Sequence, residues 1–284
     1  ADSNGGVLFN SGGTATLSGC TLSSNHAYSG GVLYDRGGTA TLSDCTLSSN
    51  HADVNGGVLY NYGGTATLSD CTLSSNHADS NGGVLYNVIY SDYVGTLIST
   101  ATATLSGCTL SSNDADVNGG VLYNSGGTTT LSGCTLSSNH ADEYGGVLYN
   151  GGTAALSDCT LSSNRATRGG ALYNYMSSTT TLSDCTLSSN HADERGGAIE
   201  NYRGTATLSG CTLSSNHADE SGGALYIDLG TTTFLDCVLS NNTATGMESG
   251  WALYIEPDPS PGYPVVLANT TFLAGAGTTP TDDD

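Results

Sequence analysis

The sequence contains no lysine, and five arginines are its only basic residues. Set against 26 acidic residues, they leave a formal charge of -21. A surface with so few cations cannot neutralise phosphate, which excludes nucleic acid and anionic lipid as partners. Tryptophan occurs once, phenylalanine three times, and no apolar run is long enough to cross a bilayer, so membrane insertion is not expected. No stretch carries the 3.6-residue periodicity of an amphipathic helix. No C-x-x-C pair exists, which removes zinc-ribbon spacing.

What the chain does have is repetition. Cysteines stand at 20, 45, 71, 108, 134, 159, 185, 211 and 237, separated by 25, 26, 37, 26, 25, 26, 26 and 26 residues. A fixed period of this size signals a solenoid, whose units bury their apolar faces only by stacking on neighbours. Within one unit, TATLSG, CTLSSN and GGVLYD alternate with period two and are rich in Thr, Val and Tyr, as strands are. Paired glycines mark corners that need positive φ. Three strands and three corners make one turn of a three-sided parallel β-helix, all-β, with about ten coils of about 26 residues. Neighbouring rungs would lie ~4.8 Å apart.

The β-helix is expected over 1–275. An insertion loop at 88–98 accounts for the spacing of 37, and a proline-rich loop at 256–264 precedes a last partial coil. Residues 276–284 read as a polar tail.

Several columns follow from the register. Parity places Leu17, Cys20, Leu22 and Leu33 inside. The cysteine column, Cys20, Cys45, Cys71, Cys108, Cys134, Cys159, Cys185, Cys211 and Cys237, is odd in number, so complete internal pairing is excluded. Free buried thiols acting as small apolar residues are expected. Asn25, Asn50, Asn76 and their copies fall at a corner, where stacked amides bond from coil to coil. His26, His51, His77, His140, His191 and His217 share one position. It reads as a polar corner facing water, since a metal site normally breaks a repeat instead of copying it. Asp53, Asp79, Asp142, Asp193 and Asp219 are candidate Ca2+ ligands, but the Gly-Gly-x-Gly-x-Asp signature is missing and no resident cofactor is expected.

Two outward columns remain. Thr14/Thr16, Thr39/Thr41, Thr65/Thr67 and Thr205/Thr207 form T-x-T pairs of the kind seen in ice-binding solenoids. Tyr34, Tyr60, Tyr86, Tyr123, Tyr149, Tyr173 and Tyr226 are expected to line an outer face with the valines, as a candidate surface for a partner or a glycan.

The motifs GGAI at Gly196 to Ile199, GGAL at Gly169 to Leu172 and Gly222 to Leu225, and Leu22-x-x-Asn25 with its copies resemble the polymorphic outer-membrane-protein repeat, GGA-[IV] with F-x-x-N. Leu replaces Phe in the second motif, and no C-terminal membrane barrel is present in the sequence. The resemblance covers nearly the whole chain. It implies right-handed winding, an extracellular or cell-surface location and an often adhesive role without an enzymatic site.

The first residues supply only the third side of a coil, and the last ordered stretch supplies only the first two. Val7, Leu8 and Phe9 at one end, with Trp251, Leu267 and Phe272 at the other, are candidate end-to-end contacts. Unpaired strand edges template another chain, and head-to-tail stacking does not close, so it gives a filament. A structural subunit partnered with itself is the leading expectation. An adhesin recognising surface glycans or other cells, or an ice binder, is the alternative. Polysaccharide cleavage needs acids clustered with Lys or Arg, and the arginines look scattered along the sequence, so no enzyme is expected.

Overall fold

The computed structural model describes residues 3–91, 97–246, 251–256 and 264–273. Among these, every residue in regular structure is β, wound as a right-handed parallel solenoid of about nine turns with three sheets. No helix is long and apolar enough to cross a membrane. Residues 257–263 of the proline-rich loop at 256–264, and the polar tail, lie outside the described residues.

Most coils carry four strands where the sequence suggests three; in two coils the first pair run together as Leu122–Ser132 and Leu148–Ser157. A typical turn runs Leu59–Tyr62, Thr65–Ser69, Thr72–Ser74 and His77–Ala78. The first two kinds of strand share an 18-stranded sheet, the Thr-Leu-Ser strands and their equivalents form a 10-stranded sheet, and the short strands at the His-Ala position, mostly two residues long, form a 9-stranded one. The His-Ala strand is too short for period-two alternation to reveal it. Among the described residues the pairings between coils are parallel and residue-for-residue, as in Thr65↔Thr39 and Leu68↔Leu42, apart from register shifts between Ser125 and Thr128 and between Ala166 and Arg168. Because side chains alternate along a strand, this register puts like residues above like.

The core is narrow and aliphatic. Ala40, Leu42, Cys45, Leu47, Val58 and Leu59 are all essentially inaccessible in one turn. Each such Leu or Val contributes roughly 1.5–3 kcal/mol relative to an exposed position. The valines correct one expectation: Val32, Val58, Val84, Val121 and Val147 are fully buried and do not share an outer face with tyrosine. The chain bends at the glycine pair, so Val and Leu of G-G-V-L both turn inward.

The two glycines of each pair have different duties. Gly56 takes φ +68, and a Cβ on Gly57 would meet the carbonyl oxygen of Gly83 in the next coil at 2.2 Å. The first glycine turns the chain, and the second lets two coils approach. The other corners use left-handed Asp, Gly or Ser before the Cys and before the Asn, for example Asp44 (φ 53) and Ser49 (φ 53).

The insertion contains an antiparallel pair, Tyr90–Ser91 with Leu97–Ser99, and residues 92–96 fall outside the description. Tyr90 packs edge-on to Tyr62 at 4.6 Å between ring centroids. Its hydroxyl accepts from Arg36 Nη2 at 3.1 Å, so this part of the insertion lies along the rod, towards earlier coils.

Candidate functional site: the tyrosine column and its break

The side bearing Leu-Tyr-Asn carries a continuous ring stack. Centroids are 5.2 Å apart for Phe9 and Tyr34, 4.7 Å for Tyr34 and Tyr60, 4.8 Å for Tyr60 and Tyr86, 4.9 Å for Tyr86 and Tyr123, and 4.7 Å for Tyr123 and Tyr149. The rung spacing of a parallel sheet sets these distances, and offset stacking adds about 0.5–1.5 kcal/mol per pair. The rings are half-buried against one another and do not form an open apolar strip. Tyr173 and Tyr226 depart further from the expected outer face, at 3% and 1% exposure. Burial raises the Tyr86 phenol to about 12, so the column is neutral at physiological pH.

The stack breaks at one rung. Glu200 occupies the tyrosine position, in register with Tyr173 on one side and Tyr226 on the other. Its side chain is fully buried and is gripped by Arg168, whose Nε donates to Oε2 at 2.9 Å while Nη2 donates to Oε1. Burial pushes the Glu200 carboxyl up, to about 7, against the opposing pull of Arg168. Burial works most strongly against the Arg168 charge, but the hydrogen bond and charge of Glu200 with the phenols of Tyr173 and Tyr144 together outweigh it, and the guanidinium is held above its ordinary value.

Around this pair the side chains form a cavity of about 440 Å³ lined by Tyr144, Tyr149, Tyr173, Tyr175, Tyr202, Arg168, Arg195 and Asp228. Arg195 lies over the Tyr226 ring at 4.9 Å, and Arg168 sits 5.7 Å from the Tyr144 centroid. The arginines that look scattered in sequence are thus brought together, because the 26-residue period places 168 and 195 one rung apart. Sequence reasoning missed this cluster by counting tyrosines and passing over the acid in their place. The signal was the Glu in GGAIEN where other coils read GGVLYN.

The other columns are placed as follows. The cysteines are free and buried, apart from the half-buried Cys20 of the first coil. Burial raises the Cys45 thiol, and its Sγ–H donates to Ser43 O at 3.2 Å. Each corner asparagine is satisfied in the same way. Asn50 donates to Leu22 O at 3.0 Å and to Asn76 Oδ1 at 2.9 Å, and Asn25 Nδ2 donates to Asn50 Oδ1 at 2.8 Å.

A second amide ladder escaped the sequence reading. Asn61, Asn87, Asn124, Asn150, Asn174 and Asn201 point inward beneath the tyrosines and are fully buried. Leu33 and the residue two positions on share a parity, which was the available clue. The T-x-T pairs face outward in register, with Thr14/Thr16 beside Thr39/Thr41 and those beside Thr65/Thr67. Among the proposed end contacts, Val7, Phe9, Trp251, Leu267 and Phe272 are 44–51% exposed, while Leu8 packs partly against the core. Leu267 pairs with Phe234 and Phe272 with Leu239, so the final rungs continue the core register.

The histidines face solvent at the corner beside aspartates. His51 Nε2 and His77 Nε2 both approach Asp79 Oδ1, at 2.5 and 3.0 Å. Asp114 stands where another histidine would and accepts from His140 Nδ1 at 2.8 Å, which lowers its carboxyl and raises His140.

A family model described as "Right handed beta helix region" matches residues 1–153, 56–213 and 94–252. No curated protein and no solved structure matches the chain.

Proposed function

The chain belongs to the right-handed β-helix family, and from that premise we propose that it is a structural solenoid, a rigid rod displayed outside the cell. The observation that carries this reading is the residue-for-residue register from coil to coil. Identical ladders on every side optimise stacking over any single locus, which suits a spacer or fibre element. The outermost described rungs expose Val7 and Phe9 at one end and Leu267, Phe272 and Leu273 at the other. A further rung of the same repeat, supplied by another copy, covers each slice and extends the rod head-to-tail. No catalytic role is assigned. Glu200, the acid at the break, is closed off from solvent and held by Arg168.

Light scattering from about 1 to 100 μM with negative-stain microscopy tests this assembly by the same mass action that governs any association. Straight particles that lengthen with concentration are expected, and a concentration-independent monomer overturns end stacking. Labelling intact source cells with an antibody to the chain tests the location, and signal appearing only after lysis refutes it.

The aromatic cavity favours a second reading, a glycan-binding module. Tyr175 and Tyr202 offer ring faces and Arg195 a donor within one concave site, the arrangement that holds a sugar by stacking and hydrogen bonds. A glycan array compared with the Tyr202→Ala variant tests it, and equal signals refute it. Thermal hysteresis on the same sample reads out the outward Thr face.

A further inference from the structure

The corner histidines and aspartates do more than decorate a polar edge. In three places, two imidazoles from consecutive coils and one carboxylate bring ligand atoms within 4.8 Å of one another: His51, His77 and Asp79; His191, His217 and Asp219; and His26, His51 and Asp53. In the first, one oxygen, Asp79 Oδ1, faces both Nε2 atoms. In the second, Asp219 Oδ1 lies 3.0 Å from His217 Nε2 and 3.7 Å from His191 Nε2. Two nitrogens and one oxygen are the donor set of a borderline divalent metal.

The outer ring nitrogens give a second, separate argument. His77 Nδ1 lies 2.9 Å from Asp114 Oδ2. The other oxygen, Asp114 Oδ1, accepts from His140 Nδ1 at 2.8 Å. A carboxylate only accepts, so His77 Nδ1 carries the hydrogen, and in the neutral imidazole Nε2 keeps a lone pair. That lone pair points at Asp79 Oδ1, another acceptor. Two acceptors face each other there unless a second proton or a cation lies between them. In the other cluster, Thr243 Oγ1 stands 2.8 Å from His217 Nδ1, the place of an acceptor for Nδ1–H when Nε2 binds a metal. A carboxylate or hydroxyl behind a histidine is the outer support that orients metal-binding imidazoles.

We propose that the His51–His77–Asp79 and His191–His217–Asp219 clusters each bind one divalent transition-metal ion of the zinc class, with water completing the shell. Neighbouring groupings, His26–His51–Asp53 and His77–Asp114–Asp116, share histidines with the first cluster and compete with it. The side chains of His51, His77 and Asp79 are 33–43% exposed, so an ion enters without opening the fold. Each bound ion ties two successive coils together at the corner that carries the shortest strands, such as His51–Ala52, His77–Ala78 and His217–Ala218.

Zn2+ competition against a chromophoric chelator and Co2+ absorption spectroscopy on the full chain test this. The parent is expected to bind one ion at each cluster, to melt at higher temperature with Zn2+, and to show Co2+ d–d bands without a thiolate charge-transfer band. Asp79→Asn removes one ion, Asp219→Asn the other, and the double variant both. Asp44→Asn, an exposed corner acid away from the histidines, retains both. Asp114→Asn weakens only the first site, by about 10–100-fold, as loss of outer support does elsewhere. Failure to bind Zn2+, stoichiometry unchanged by the Asp79 and Asp219 variants, or a thiolate band showing capture by the cysteines overturns the proposal.

Discussion

The two amide ladders of this rod occupy different sides and obey different rules. The corner ladder is asparagine at every described coil, from Asn25 to Asn242. The inner ladder beneath the tyrosines admits Asp35 and Ile227. The bonding explains the contrast. A corner asparagine accepts from a backbone N–H as well as from the neighbouring amide, as Asn113 Oδ1 does from Asn76 N at 3.1 Å and Asn76 Nδ2 at 3.0 Å. It also donates to a leucine carbonyl one coil back. An inner asparagine donates to carbonyls of its own and the adjacent coil but takes no backbone N–H from its neighbour. Asn124, for instance, donates to Gly127 O at 3.0 Å, Asn150 Oδ1 at 2.9 Å and Thr153 O at 3.2 Å. Where Ile227 removes the next acceptor, Thr232 Oγ1 takes the Asn201 amide at 2.9 Å. The inner side tolerates variation because substitutes exist, and the Arg168–Glu200 break lies on that side.

The largest expected effect comes from breaking the corner ladder. Asn113→Ala strands Asn76 N–H and takes one partner each from Leu73 C=O, Asn76 Nδ2 and Asn139 Oδ1 in a buried place. At about 1–3 kcal/mol per orphaned group with partial relaxation, the loss should be on the order of 4 kcal/mol. Asn124→Ala should cost about half as much. Urea unfolding of the two variants checks this, and equal losses abolish the distinction between the ladders.

The next effect belongs to the Glu200 rung. Removing one member of a buried pair leaves a stranded charge, so Arg168→Ala should cost about 3 kcal/mol at pH 8. At pH 5 the Glu200 carboxyl is protonated and the cost should shrink. The parent carries its own pH signature. Glu200 is raised from its ordinary value to about 7, so its contribution is complete below the ordinary glutamate range and is lost as pH rises through 7. Between those values the unfolded chain has released its proton and the folded chain has not. The decline should be on the order of 3 kcal/mol, and Glu200→Gln should abolish Glu200's part of it. A variant with the parent's slope would show that Glu200 does not titrate in that window.

These contrasts also show what the sequence could reveal. Period, register, inward leucines, thiol column and corner asparagines were readable because a repeated strand pattern has few ways to stack. The His-Ala strand was hidden because two residues carry no alternation. The inner ladder was hidden because polar residues are normally assigned to the outside, although Asn61 and its copies share the parity of leucine. The Arg168–Glu200 contact was hidden for a different reason: residues 32 apart meet only once coil length is converted into height. Exceptions to a repeat hold more about a site than the repeat does.

The smallest effect, and the only gain, should come from repairing the inner ladder. Asn10 Nδ2 donates to Asp35 Oδ1 at 2.7 Å, but Asp35 has no amide with which to continue the chain. Asp35 Oδ2 and Asn61 Oδ1 are both buried without a partner, and both lie where a Cβ on Gly64 would sit. Asp35→Asn supplies the missing donor and should stabilise the rod by about 1–2 kcal/mol at pH 7.5, the usual penalty of an orphaned buried group. Burial raises the Asp35 carboxyl above its ordinary range. At pH 3.5 the protonated acid carries its own hydrogen for Asn61, and the advantage of the amide should vanish. The gain therefore grows as pH rises through the raised value, where the parent loses what its proton supplied. Urea midpoints of parent and variant at the two pH values read this directly. An equal gain at both would mean that the vacancy in the ladder is not a missing hydrogen, and the bonding rule that separates the two sides of the rod would fail with it.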